Sequence, residues 1–267
     1  MIERCAAFHA LHRAGHPLLL PNAWDHASAA ALAARGHQAI GTTSLGVAAT
    51  AGLPDGVAAT AGETLALARR LARLPVLLSV DVESGFSDDP VEVAEYVAEL
   101  AGLGVVGINL EDGRADGSLA DTEVAAAKIV AVKAAVPELF VNARTDTWWL
   151  GVDDPLPQTL ARARAYRAAG ADGIFVPGTV DLETLRVLTA RIDAPVNALY
   201  QPGGPGLAEL GAAGVARVST GSLLFRAALG AALTAAEAVR DGGSTTAVGL
   251  PSYAEVQALV PTDGDCR

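Results

Sequence analysis

Histidine is missing from this chain after residue 37, lysine is confined to Lys128 and Lys133, and the only cysteines are Cys5 and Cys266. The two cysteines lie near opposite termini, outside any metal-ligand spacing, so the simplest reading is a pair of free, non-catalytic thiols in an intracellular protein. His9, His12, His16, His26 and His37 do not form the His-Glu-x-x-His pattern of a zinc protease and read as surface or packing residues. No apolar run is long enough to span a membrane, because each is broken by Gly, Pro or charge. Met1-Ile2-Glu3-Arg4-Cys5 opens with an acidic residue and lacks the apolar region of a secretory signal, so a cytoplasmic chain is expected. Positive charge is scarce too. A formal net charge of −11 and a pI near 4.8 argue against nucleic acid and against anionic membranes, both of which require a basic face. A glycine-rich G-x-G-x-x-G is absent after the first strand, where Pro21-Asn22-Ala23-Trp24-Asp25 stands instead, which disfavours a dinucleotide site.

What is present is a repeat. The 267 residues are 51% hydrophobic, enough for a large core, and the length suits one β/α barrel. Short apolar strands are expected at 18–21, 39–43, 76–81, 106–110, 139–142, 173–176, 195–199 and 215–219. Ala-rich helices are expected at 25–35, 62–73, 90–103, 121–135, 157–169, 181–191, 206–213 and 222–240. That makes about eight β/α units, the number that closes a TIM-type (β/α)8 barrel. An open doubly wound sheet gives a similar alternation, so periodicity alone leaves that architecture open. Residues 1–240 are taken as the barrel and 241–267 as an extension. Its helix, beginning near Tyr253, must bury an apolar side, and a neighbouring subunit of a dimer or tetramer is one place to do so.

Three of the expected strands run into acids: Leu78-Ser79-Val80-Asp81-Val82-Glu83, Ile108-Asn109-Leu110-Glu111-Asp112 and Val141-Asn142-Ala143-Arg144-Thr145-Asp146. In a parallel barrel the C-terminal strand ends share one mouth, so Asp81, Glu83, Glu111 and Arg144 would meet around one pocket. Oxygen ligands without Cys or His suit a hard cation such as Mg²⁺, and Arg144 supplies a fork for a carboxylate or phosphonate. Taken singly, each acid has a plainer role. Asp81 alone would be a helix cap, Ser84, Asp112 and Asp146 supporting or capping groups, and Asp55 part of a turn. Trp24, Trp148 and Trp149 either wall the mouth or pack beneath its rim. Gln201-Pro202-Gly203-Gly204 and Ser219-Thr220-Gly221-Ser222 end the last two strands, where many barrels hold phosphate. A barrel for a phosphorylated ligand therefore stands as a second reading, and a catalytically silent binding protein as a third.

The order of motifs resembles the isocitrate lyase/phosphoenolpyruvate mutase superfamily from Leu20 to about Arg226. The residues that carry it are Leu20-Pro21-Asn22-Ala23-Trp24-Asp25, Gly41-Thr42-Thr43-Ser44-Leu45-Gly46, Gly52-Leu53-Pro54-Asp55, Asp81-Val82-Glu83-Ser84-Gly85-Phe86, and the Glu111 and Arg144 strands. The resemblance implies Mg²⁺, with Mn²⁺ as the alternative occupant, held by Asp81 and by Glu83, Glu111 and Asp55 directly or through water. It implies a small anionic α-oxo acid bound among Trp24, Thr43, Ser44, Leu45, Gly46, Asp81, Arg144 and Asn197, with Asp55 and Arg144 as the catalytic pair. The implied chemistry is formation and breakdown of a pyruvate-like enolate. One departure bears on the reaction. Where the family's isocitrate and 2-methylisocitrate lyases carry a Lys-x-Cys-Gly-His loop, this chain reads Glu111-Asp112-Gly113-Arg114-Ala115-Asp116-Gly117-Ser118, which argues against a Cys-dependent lyase and leaves Ser118 or a water to deliver the proton.

Overall fold

A computed structural model of the chain describes residues 1–179, 181–243 and 249–260. Cys266 and the remainder of the expected C-terminal extension lie outside the described residues. Nine parallel strands, β1 (Leu18–Leu20), β2 (Asn22–Ala23), β3 (Ala39–Thr42), β4 (Leu77–Asp81), β5 (Gly107–Glu111), β6 (Phe140–Arg144), β7 (Gly173–Phe175), β8 (Val196–Leu199) and β9 (Arg217–Ser219), follow the order β1-β9-β8-β7-β6-β5-β4-β3-β2. This is a (β/α)8 barrel, and its seam explains the ninth strand. Pro21 has no N–H to give a ladder, so the first stave is split: β1 pairs with β9 and β2 with β3. Asn22 bridges the split. Its Nδ2 donates to the Thr42 carbonyl at 2.7 Å, and its Oδ1 accepts from the Thr220 and Gly221 amides at 2.9 Å each.

The helices are α1 (Ile2–Ala10), α2 (His26–Ala34), α3 (Ser44–Ala51), α4 (Ala61–Leu71), α5 (Pro90–Gly102), α6 (Thr122–Ala135), α7 (Pro155–Ala168), α8 (Leu182–Arg191), α9 (Leu207–Ala212), α10 (Leu223–Arg240) and α11 (Tyr253–Gln257). Acids start several of them, because a side-chain oxygen satisfies an amide that has no partner in the first turn. Asp25 accepts from Ser28 N at 2.7 Å, Asp181 from Thr184 N at 2.7 Å, and Asp89 from Val91 N at 2.8 Å. Most of the expected elements appear within a few residues. The sequence reading missed α1 and α3, and it began α7 two residues late. Pro155, with its φ already fixed, opens that helix's first turn.

The main core lies between the sheet and its helices, with Val80, Ile108, Val141 and Ile174 packed against Val97, Leu100, Ile129 and Tyr166. A smaller cluster closes the N-terminal end of the barrel. There Cys5 and Phe8 of α1 pack on Leu20, Ala39, Val106 and Phe140, and His12 stacks on the Phe140 ring at 4.0 Å. A Cβ on Gly107 would come within 2.7 Å of the Phe8 ring, so the plug requires glycine at that strand start. The opposite, C-terminal end is left open for chemistry.

Helix α10 packs at its start, where Phe225 meets the Trp24 ring edge-on at 5.4 Å, and is exposed beyond it. None of the residues of α10 is buried, and Leu229, Leu233 and Val239 are exposed. The outward-facing Leu19 of β1, beside the position an eighth helix would cover, is 37% exposed.

Candidate active site

Alternation along each strand decides which residues reach the barrel interior. Asn109 and Glu111 on β5, Asn142 and Arg144 on β6, and Ser79 and Asp81 on β4 fall on the same side, two apart. Across the β5–β6 ladder Glu111 is the register partner of Arg144. A cavity of about 400 Å³ opens at this end, and its lining includes Thr43, Ser44, Leu45, Asp55, Asp81, Glu111, Arg144 and Asp146. A neighbouring cavity of about 470 Å³ shares Glu111 and Arg144 with it but extends outward between the strands and α6, past Leu110, Ala125, Ile129 and Tyr166. The strand-end polar groups converge on the first.

Arg144 organises the anionic side. Its Nη1 donates to Glu111 Oε2 at 2.8 Å and its Nε to Asp146 Oδ1 at 2.7 Å, while Trp149 and Phe175 lie 5.9 and 5.7 Å from the guanidinium carbon. Burial works against the charge on Arg144, but Glu111, Asp146 and Asp81 outweigh it and raise the guanidinium's affinity for its proton. For the acids the balance runs the other way. Burial, opposed by Arg144, pushes Glu111 up to about 8 and Asp81 up to about 6. Burial and the neighbouring acids outweigh the Arg144 guanidinium at both carboxylates.

A further layer holds this pair in place. Asp112 accepts from Tyr166 OH at 2.6 Å, from Arg162 Nη1 at 3.0 Å and from the Asp146 amide at 2.9 Å. Helix α7 is thereby tied through Asp112 and Asp146 to Arg144. Opposite the acids, α3 begins at Ser44, whose first-turn amides have no partner within the helix and form an anion-seeking end. Gly46 is required there by packing, since a Cβ would come within 2.7 Å of Trp24 Cβ.

Other residues singled out by sequence sit elsewhere. Trp24 packs edge-on against Phe225 at 5.4 Å and does not line the cavity, whereas Trp149 does. Asn197 is 1% exposed and lies below the cavity floor, with Ser219 Oγ 3.4 Å from its Oδ1 and its Nδ2 unpartnered. Ser118 is exposed, donates to Asp116 at 2.6 Å and is not part of the lining. Glu83 is 2% exposed and turns away from the cavity, one oxygen accepting from Thr60 Oγ1 at 2.6 Å and the other from Ala58 N at 3.0 Å. The structure therefore does not bring Asp81, Glu83 and Glu111 together as one ligand set. Among the described residues no group of three His, Cys, Asp or Glu side chains is placed to hold a metal ion. The strained loop after Asp81 causes this, because a positive φ of 50° at Glu83 swings its side chain off the strand's alternation.

Sequence reasoning also missed Arg217, an arginine 1% exposed inside the barrel. Its Nη2 donates to Asn109 Oδ1 at 3.0 Å, its Nε and Nη1 lack partners, and burial pulls it down to about 9. Its place was legible from strand parity, two residues before Ser219.

The phosphoenolpyruvate phosphomutase family model matches residues 8–240 of the chain. An uncharacterized protein of Mycobacterium tuberculosis (strain ATCC 25618 / H37Rv) is 51% identical over 255 residues, covering 94% of this chain and 95% of that one. An oxaloacetate decarboxylase of Ectopseudomonas mendocina (strain ymp) is 35% identical over 193 residues, covering 67% of this chain and 64% of the decarboxylase. A crystal structure from Burkholderia cenocepacia J2315, provisionally assigned as a phosphonomutase, has 40% identity and a TM-score of 0.84, covering 88% of this chain and 99% of that one. With the family model spanning most of the barrel, the chain belongs to the phosphoenolpyruvate phosphomutase family, within the isocitrate lyase/phosphoenolpyruvate mutase superfamily.

Proposed function

We propose that this protein is a Mg²⁺-dependent enzyme that cleaves or rearranges a C–C or P–C bond beside an α-oxo carboxylate through an enolate. The observation that carries the proposal is the convergence of Asp81, Glu111, Arg144 and the N-terminus of α3 on one cavity. The donor set fits the cation. Asp81 and Glu111 are hard oxygen donors lining one cavity, and Mg²⁺ is satisfied by one or two carboxylates with waters and substrate oxygens completing its shell. When bound there, the cation would supply positive charge against the developing enolate oxygen.

This chain's own residues then have distinct tasks. The first-turn amides of α3 receive the substrate's carboxylate, and Arg144, flanked by Trp149 and Phe175, holds a second anionic oxygen. Asp55 lines the same cavity and serves as the reacting-side carboxylate. With Ser118 turned outward, the proton that quenches the enolate comes from water or from a lining hydroxyl such as Ser44 or Ser222. The similarity to an oxaloacetate decarboxylase supports an oxo-acid substrate. Of the two strand-end loops considered for phosphate, residues 201–204 do not line the cavity, whereas Ser219, Gly221 and Ser222 do, so a phosphorylated or phosphonate ligand stays open as the second reading. The test is pyruvate release from oxaloacetate, phosphonopyruvate and 2-methylisocitrate with and without Mg²⁺. Accompanying phosphate would identify P–C cleavage and carbon dioxide would identify decarboxylation. Rearrangement would release no pyruvate and is read as conversion of phosphonopyruvate to phosphoenolpyruvate; silence in both readouts would favour a binding protein.

The working unit is proposed to be a homo-oligomer in which the barrel, residues 1–240, exchanges α10 and its C-terminal extension with a second copy. The support is the exposure of α10 beyond Phe225 and of Leu19 of β1; the described end of the extension also touches its own barrel, Leu259 O lying 3.2 Å from His26 Nε2.

A further inference from the structure

Four non-glycine residues among those described have positive φ, and two of them meet at one contact, Ala58 at 59° and Glu83 at 50°, with Phe86 at 61° on the same loop as Glu83. Each such conformation costs about 1–3 kcal/mol and persists only where its surroundings enforce it. What they enforce here is the union of two loops. Residues 51–59 are exposed throughout and include Asp55 and Gly56 of the cavity lining. Among the described residues, 55–60 form two hydrogen bonds to another loop, from Ala58 N and Thr60 Oγ1, and both end on the Glu83 carboxylate.

The Glu83 loop is itself anchored from below. Lys128 of α6, 4% exposed, donates from Nζ to the Ser84 carbonyl at 3.0 Å and lies 3.4 Å from Asp88 Oδ1. Gly85, at φ 96°, presses on α5 so closely that a Cβ would come within 2.8 Å of Val93. A fixed loop thus presents a buried carboxylate to an exposed one.

We propose that Glu83 is a positioning residue whose carboxylate latches the Asp55 loop against the barrel rim, and that it does not serve the metal. The proposal rests on the reading of the cavity as a Mg²⁺ and oxo-acid site. Its chemistry is specific to a carboxylate. Two donors converge on two charged oxygens; in Glu83→Gln the side-chain carbonyl can still accept from Ala58 N and the amide can donate to the Thr60 hydroxyl, but both charge-assisted bonds become weaker neutral ones. The Thr60 hydroxyl tests the same latch from the other side without touching any acid.

The experiment compares wild type, Glu83→Gln, Thr60→Val and Thr60→Ser. Amide hydrogen exchange is measured on metal-free protein, and Mg²⁺ and then oxalate uptake by calorimetry. Glu83→Gln and Thr60→Val should each speed exchange across 53–60 by about tenfold, the scale of one charge-assisted hydrogen bond. They should also weaken Mg²⁺-dependent oxalate binding by a similar factor while leaving Mg²⁺ affinity within about twofold of wild type. Thr60→Ser should restore both, which a general loss of packing would not. Loss of Mg²⁺ binding in Glu83→Gln with wild-type exchange over 53–60 would make Glu83 a ligand and overturn the latch. Faster exchange with unchanged oxalate affinity would overturn its positioning role. Wild-type protein that takes up no oxalate with Mg²⁺ would overturn the enzyme reading instead, a failure kept separate because exchange is read without metal.

Discussion

Arg144 and Glu111 are register partners on adjacent parallel strands, and Arg144 Nη1 donates to Glu111 Oε2 at 2.8 Å. The pairing means that the group proposed to grip the substrate and a group proposed to hold the cation are set by the same ladder. Neither can shift without the other. A buried pair of this kind is sensitive to truncation, because the remaining charge loses its partner and not merely a contact.

Arg144→Ala should therefore weaken Mg²⁺-dependent oxalate binding by about 2 kcal/mol or more, the scale of a lost charge-assisted contact. Titration calorimetry with the metal saturating provides the check. Unchanged oxalate affinity, combined with loss of binding on changes at Gly203 or Gly221, would move the anion site to the last two strand ends.

Asp81→Ala should abolish Mg²⁺ binding, whereas Asp112→Ala should retain much of it at a cost in stability. Asp112 is buried and accepts from Tyr166, Arg162 and the Asp146 amide, so its removal leaves that amide without a partner and the Arg162 charge without its carboxylate, although Arg162 Nη1 still donates to the Ala120 carbonyl at 2.9 Å. The expected loss is about 3–5 kcal/mol in chemical denaturation. Unchanged Mg²⁺ affinity in Asp81→Ala would remove the metal from this position.

The contrast between these two aspartates shows how far sequence carried the site. Asp81, Glu111 and Arg144 were legible because strand-end position in a parallel barrel is fixed by period-two alternation, which the apolar runs make plain. Glu83 was misread as part of the cluster, because the alternation stops one residue after the strand and a positive φ then reverses the side chain. Helix α3 was overlooked since Ser44–Ala51 is small and apolar on every side, without the polar stripe that marks a surface helix. Asn22 looked like a loop residue. Its bonds to Thr42, Thr220 and Gly221 join segments about 200 positions apart, which no local pattern can reveal.

His12 should make stability depend on pH. Burial, with Arg217 adding to it, pulls its imidazole from the ordinary value of 6.5 down to about 3, so the folded protein favours the neutral ring. Between those values the unfolded chain binds the proton more readily. The stabilisation is thus fully present above about pH 6.5 and is lost as pH falls toward 3, at about 1.4 kcal/mol per pH unit. Asp81 and Glu111, whose affinities are raised, act in the opposite direction, so the readout is the difference between wild type and His12→Phe. Denaturation curves for the two should run parallel above about pH 6.5, offset only by packing, and separate as pH falls toward 3, wild type losing the more stability. Profiles that stay parallel down to about pH 3 would refute the assignment.

The exposed face of α10 leads to a prediction about assembly. An eighteen-residue helix with no buried residue, carrying exposed Leu229, Leu233 and Val239, leaves apolar surface in water that a second copy would cover. Each such leucine is worth roughly 1.5–3 kcal/mol when fully buried, so two charged replacements at this face should outweigh the association energy of a modest interface. Light scattering after size exclusion should give a dimer or tetramer for wild type and a monomer for Leu229→Glu, Leu233→Glu. The variant's circular dichroism should stay close to wild type, because neither residue packs within its own barrel. A wild-type monomer, or an unchanged oligomer in the variant, would show that α10 is not the contact and that Leu19 of β1 is covered by something else.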